Sequence, residues 1–140
     1  MYMKKFILTV FIAIVATSCV KEEYYDSMDM FEIQYTVYDK DWRLNDNSNG
    51  TFFYFDFQEK NLNKQMFLNG NFNGFILNKD LSLTPMPFIV FEIENGYKWT
   101  EQYTCNFNEG NIRFIVTYND FEMSMKPPTM DFIVKYFCKF

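Results

Sequence analysis

The chain has 140 residues, 13 basic and 18 acidic side chains, a formal net charge of −5 and no histidine. That acidity leaves no electrostatic footprint for nucleic acid, and it sets the chain against an anionic lipid surface. Without histidine, the usual general base, the commonest metal ligand and the usual partner of a serine or cysteine nucleophile are all missing.

The first residues have three parts. Met1 to Lys5 is short and basic, Phe6 to Ala16 is an apolar run, and Thr17-Ser18-Cys19 is small. This is the layout of a secretory signal peptide, and the run is too short for an ordinary span of about 20 residues. Ala16-Thr17-Ser18-Cys19 resembles a bacterial lipobox, with Ala where such boxes usually carry Leu. The resemblance implies diacylglycerol on the Cys19 sulfur and cleavage before it. Each buried CH₂ of such an anchor contributes about 0.8 kcal/mol, and stable attachment takes more than one chain. Removing residues 1–18 takes away two lysines and no acid, so the side-chain charge becomes −7. Val20-Lys21-Glu22-Glu23 is similar to the short export tag of surface lipoproteins in Bacteroidetes, which implies the outer face of the outer membrane. The bland reading of the same four residues is a solvated tether. The expected organisation is signal peptide 1–18, lipidated cysteine and acidic tether 19–29, and one β domain 30–140.

From Phe31 the hydrophobic period becomes two. Phe31, Ile33, Tyr35 and Val37 alternate with Glu32, Gln34, Thr36 and Tyr38, which predicts a half-buried strand. Asp39 to Gly50 reads as a polar loop, broken by Trp42 and Leu44. Thr51 to Phe57 is apolar on both faces except at Asp56, which predicts a central strand covered on both sides. Leu62, Met66 and Phe67 have helical spacing and Asn69-Gly70 is a stop signal, so one short helix is expected there. Phe72 to Asn78 and Leu81 to Leu83 are brief strands, and Pro85-Met86-Pro87 is an extended break. Asn95-Gly96 joins Phe88–Glu94 to Tyr97–Phe107, and Asn-Gly between strands is a strong hairpin signal. On the second arm Trp99, Glu101, Tyr103, Cys105 and Phe107 share a face, with Glu101 the misfit. Ile112, Phe114, Val116 and Tyr118 share the next. Pro127-Pro128 marks a crossing, and Phe132, Val134, Tyr136, Cys138 and Phe140 form a last strand. These elements predict an all-β fold: an antiparallel β-sandwich of about seven strands with one short helix, a small barrel being the alternative.

Trp99-Thr-Glu-Gln-Tyr103, Ile112 to Asp120, Pro127-Pro-Thr-Met-Asp-Phe132 and Pro85-Met-Pro-Phe88 together resemble a group of small Bacteroidetes lipoproteins. Some of these carry collagen-like Gly-Pro repeats between lipid and domain. This chain lacks that stalk, so trimeric assembly does not carry over. The resemblance implies location and fold, and it transfers no catalytic residue.

Several constellations compete with bland readings. Asn45 to Gly50, with Asp56 at the twelfth place, imitates the spacing of a calcium loop. Its charges are poor, however, and places seven to eleven read as strand. Trp42 and Trp99 are candidates for a sugar-stacking platform. Trp99 lies in phase with Tyr103 and reads as core, whereas Trp42 sits in the polar loop and is the expected exposed ring and ligand contact. Asp39 with Asp41, and Glu92 with Glu94, are acid pairs of the kind glycosidases use, but they also suit solvent-facing hairpins. Cys105 and Cys138 lie on apolar strand faces and read as buried thiols, with a disulfide left open by export. The expected function is therefore a non-enzymatic binding or assembly lipoprotein at the cell surface. The one modification expected is lipidation at Cys19, with no cofactor and no metal. Its expected partners are the membrane, through the lipid, and a protein or glycan. A carbohydrate-binding accessory module is the alternative.

Overall fold

Alternating apolar residues build every sheet of this molecule. The computed structural model describes residues 28–47, 50–119 and 126–139. In chain order these form β1 (Met28–Val37), a 3₁₀ turn (Asp39–Asp41), β2 (Arg43–Asn47), β3 (Gly50–Gln58), α1 (Lys64–Asn69), β4 (Gly70–Leu77), β5 (Leu83–Pro85), β6 (Phe88–Glu94), β7 (Tyr97–Asn108), β8 (Asn111–Tyr118) and β9 (Met130–Lys139). Two antiparallel sheets result. The first runs β1-β9-β4-β5 and the second β2-β3-β8-β7-β6. The fold is an all-β sandwich, with nine strands and one short helix among the described residues, and the two sheets do not close into the alternative barrel.

The inner faces follow the period of two. β8 alternates without a break, burying Ile112, Phe114, Val116 and Tyr118. β9 buries Phe132, Val134 and Tyr136 on the same rhythm. The Phe114 and Phe132 rings stack across the sandwich at 4.2 Å with an interplanar angle of 16°. Phe57 and Tyr35 meet beside them at 4.2 Å. Among the described residues, eight aromatic rings are buried, and Phe55, Phe57, Phe72, Trp99 and Phe107 pack against them, where such rings contribute both area and directed contacts.

Helix α1 begins where Asn63 caps it. The Met66 N–H donates to Asn63 Oδ1 at 3.0 Å, which satisfies one orphan donor of the first turn. Met66 is buried against the sandwich, as is Leu62 just before the helix.

Three expectations are corrected. The stretch read as a loop contains β2, whose Arg43–Asn47 pair with Tyr54–Gly50. This is a polar edge strand, held by its ladder rather than by burial. β1 starts at Met28, inside the segment assigned to the tether. β3 is interior to its sheet but is not covered on both sides: Phe52 and Tyr54 are half-buried on the outer face, with the Arg113 guanidinium over the Tyr54 ring at 4.6 Å.

Candidate functional site

Cys19 lies outside the described residues. Trp42 does not, and its expected exposure is wrong: the ring is 3% exposed and belongs to the core. Its indole N–H donates to the Pro128 carbonyl at 3.0 Å, and its ring meets Phe132 edge-on at 6.2 Å. The polar neighbours of Trp42 in sequence cover the surface while the ring turns inward, under the connection from β8 to β9. Pro127 in that connection is fully buried. A ring so placed offers no stacking platform.

Trp99 sits on the inner face as expected, half-buried against the core. Glu101, the misfit of that face, is a bonded acceptor. Trp99 Nε1 donates to its Oε1 at 3.1 Å, and Tyr103 Oη donates to its Oε2. The next strand places Tyr118 opposite Glu101. Burial, then the Glu101 hydrogen bond, pushes the Tyr103 phenol above its usual range. Tyr118 is raised by burial and by the charge of Glu101. Both phenols hold their protons at neutral pH, and Glu101 serves as the acceptor for Trp99 and Tyr103.

The calcium spacing dissolves in the fold. Asn45 pairs opposite Phe52 within a hairpin. Asp56 is taken by Arg113, whose Nε and Nη2 donate to its two oxygens at 2.7 and 2.8 Å, and by the Asn111 amide. The Arg113 hydrogen bond holds the Asp56 carboxyl below its ordinary value. Among the described residues, no group of three or more His, Cys, Asp or Glu is placed to hold a metal. Asp39 and Asp41 fall in the 3₁₀ turn. Glu92 stands opposite Trp99 on the inner side of β6, and Glu94 opposite Tyr97.

Two of the open clefts lie wholly among the described residues. One, of about 340 Å³, runs between β4 and β7 below Met86-Pro87 and exposes part of Cys105. The other, of about 460 Å³, lies at the end of the first sheet between Gln34, Asn78, Leu81 and Asp131. Cys105 is a free thiol, pushed up to about 12 by burial, so it is a poor nucleophile. It packs on Gly74, which is opposite Val134 on β9, whereas Cys138 is opposite Gly70. Four residues of strand, about 13 Å, separate the two positions along the sheet. The Cys138 side chain lies outside the described residues.

The surface feature that sequence reasoning missed is the exposed outer row of β6, a strand whose bounds it had placed correctly. Ile89, Phe91 and Ile93 are 51%, 80% and 68% exposed. They stand opposite Gln102, Thr100 and Lys98 on the outer face of the second sheet. β6 ends its sheet, and among the described residues no strand pairs on its far side. The sequence does show that Ile89, Phe91 and Ile93 form a wholly apolar face while Glu92 and Glu94 share the other, but not which face is covered.

No family model, no curated protein and no solved structure matches this chain. Among the described residues, no helix is long and apolar enough to cross a membrane.

Proposed function

We propose that this chain is a lipid-anchored protein of the outer membrane, exposed at the cell surface, whose β-sandwich is a non-catalytic binding or assembly domain. The observation that carries the binding role is the solvent-facing row Ile89, Phe91 and Ile93 on an open sheet edge. Isolated apolar side chains on a surface need no explanation, but a contiguous row on an edge strand marks an interaction site. The anchor rests on the signal-like residues 1–18, the lipobox ending in Cys19, and the resemblance to Bacteroidetes surface lipoproteins. The absence of histidine from the whole sequence supports a non-catalytic role. The glycan-binding alternative loses its assigned contact, because Trp42 is buried.

Metabolic labelling with a fatty acid tests the anchor. The wild-type chain should take up label and Cys19→Ala should not; equal labelling of the two would sink the anchor. Protease treatment of intact cells tests the orientation, and a fully protected domain would contradict surface exposure.

A further inference from the structure

The open edge of β6 has a self-complementary pattern. The Asn95-Gly96 turn has positive φ at both positions, 50° and 86°. This two-residue turn makes Glu94 and Tyr97 a hydrogen-bonded pair, and the phase then alternates along the ladder. Glu92, Val90 and Phe88 direct their backbone groups toward β7. Ile93, Phe91 and Ile89 direct theirs away from it, at the open edge. An independent contact fixes the same phase. Thr100, opposite Phe91, uses its N–H on Asn119 Oδ1 and its carbonyl on the Asn119 N–H. Its backbone groups therefore turn toward β8, and the Phe91–Thr100 pair is not hydrogen-bonded.

The same three residues thus present exposed apolar side chains, and backbone groups that no strand among the described residues pairs. The other edges are defended. β2 carries Arg43 and Asp46, β5 is three residues long and ends in Pro85, and β1 turns Glu32, Gln34 and Thr36 outward, with Glu32 held by Lys135 at 2.9 Å. β6 has no lysine or proline inside it, and its two acids face the inner side of the sheet. Charge and proline at an edge are the usual guards against strand pairing.

The geometry points to a second copy of this chain as the partner of that edge, the two β6 strands pairing antiparallel about a two-fold axis at Phe91. This deepens the binding role proposed above. The register is selective. With Phe91 at the axis, Ile89 opposes Ile93 of the second copy, Val90 opposes Glu92, and Phe88 opposes Glu94, so no carboxylate meets another. Each of the outward-bonding pairs exchanges both N–H···O bonds. Centring on Ile93 sets Glu92 against Glu94. Centring on Ile89 sets Phe91 against Pro87, which has no N–H to give. The outer row then becomes an unbroken apolar ladder across both copies.

Thiol cross-linking of the full chain tests this. Phe91→Cys, treated with a short bifunctional maleimide, should shift to a band at twice the chain mass. Ile89→Cys should not, since the two copies of position 89 lie about 13 Å apart along the strands. Wild-type protein is the control for the native cysteines. Light scattering should find a dimer for wild type and a monomer for Phe91→Lys, with unchanged circular dichroism. No doubled band for Phe91→Cys, equal bands for both cysteine variants, or a wild-type monomer would overturn the proposal. A cross-linked band of another mass would also overturn it, while leaving the edge as a binding site for a different protein.

Discussion

At the scale of single residues, Trp42 joins two distant parts of the chain. Its ring fills the space beneath the β8–β9 connection, and its indole N–H holds the Pro128 carbonyl 86 positions away. Replacing a buried tryptophan by alanine costs the transferred area and leaves a cavity, together about 3–5 kcal/mol. Trp42→Phe keeps most of the packing and loses the hydrogen bond, for which about 1 kcal/mol is expected. Denaturant titration should therefore rank wild type above Trp42→Phe above Trp42→Ala. If Trp42→Ala unfolds at the wild-type midpoint, the ring does not support the core. The burial was not legible in the sequence, because one aromatic among Asp41, Arg43 and Asn45 carries no period. What buries it is a proline pair far along the chain. Glu101 shows the converse. Periodicity put it on the apolar face, correctly, but gave no hint that Trp99 and Tyr103 would supply its hydrogen bonds.

At the scale of elements, close approach of the sheets depends on Gly74. A Cβ built there would stand 2.8 Å from Cys105 Cβ and 2.8 Å from Met86 Cε. Met86 has rotatable bonds and can move. The Cys105 Cβ is fixed to the β7 backbone, so the strands themselves must separate. Gly74→Ala should cost about 1–3 kcal/mol, as overpacking does. Cys105→Ala should not rescue it, since the clashing Cβ stays. Full rescue by that second change would show that only the thiol mattered. The strands on either side of this contact were readable from alternation, and the Asn95-Gly96 hairpin from its turn residues. β2 was not readable. Its only large apolar residue, Leu44, is exposed, so nothing in its pattern separates it from a polar loop, and pairing with β3 alone makes it a strand. β6 was readable as a strand but its open face was not: an apolar run such as Phe88–Glu94 has the same appearance whether both faces are covered or one is open.

At the scale of the whole molecule, the charge pairs and buried phenols set a pH window for stability. On the acid side, Asp56 is held below its ordinary 3.8, chiefly by the Arg113 hydrogen bond. A carboxyl lowered by folding adds stability that is present above its unfolded value, and that stability is lost as pH falls through the folded one. On the alkaline side, burial raises Tyr35, Tyr103 and Tyr118 above their ordinary 10.0 and moves Cys105 from 9.0 to about 12. Groups raised by folding give stability that is complete below their unfolded values and lost as pH climbs toward the folded ones. Unfolding free energy should therefore be highest between about pH 5 and pH 8. It should fall below about pH 4 and again above about pH 9, where unfolded carboxylates, thiols and phenols begin to titrate. Two variants separate the limbs. Asp56→Asn keeps a partner for Arg113 without the titration, so its acid limb should be shallower and its alkaline limb unchanged. Tyr118→Phe keeps the ring in the core and removes one phenol beside Glu101, so only its alkaline limb should flatten. Denaturant midpoints measured across this range decide the matter. An Asp56→Asn protein that loses as much stability as wild type between neutral pH and about pH 3 would mean that the ion pair on the outer face contributes nothing to the acid limb.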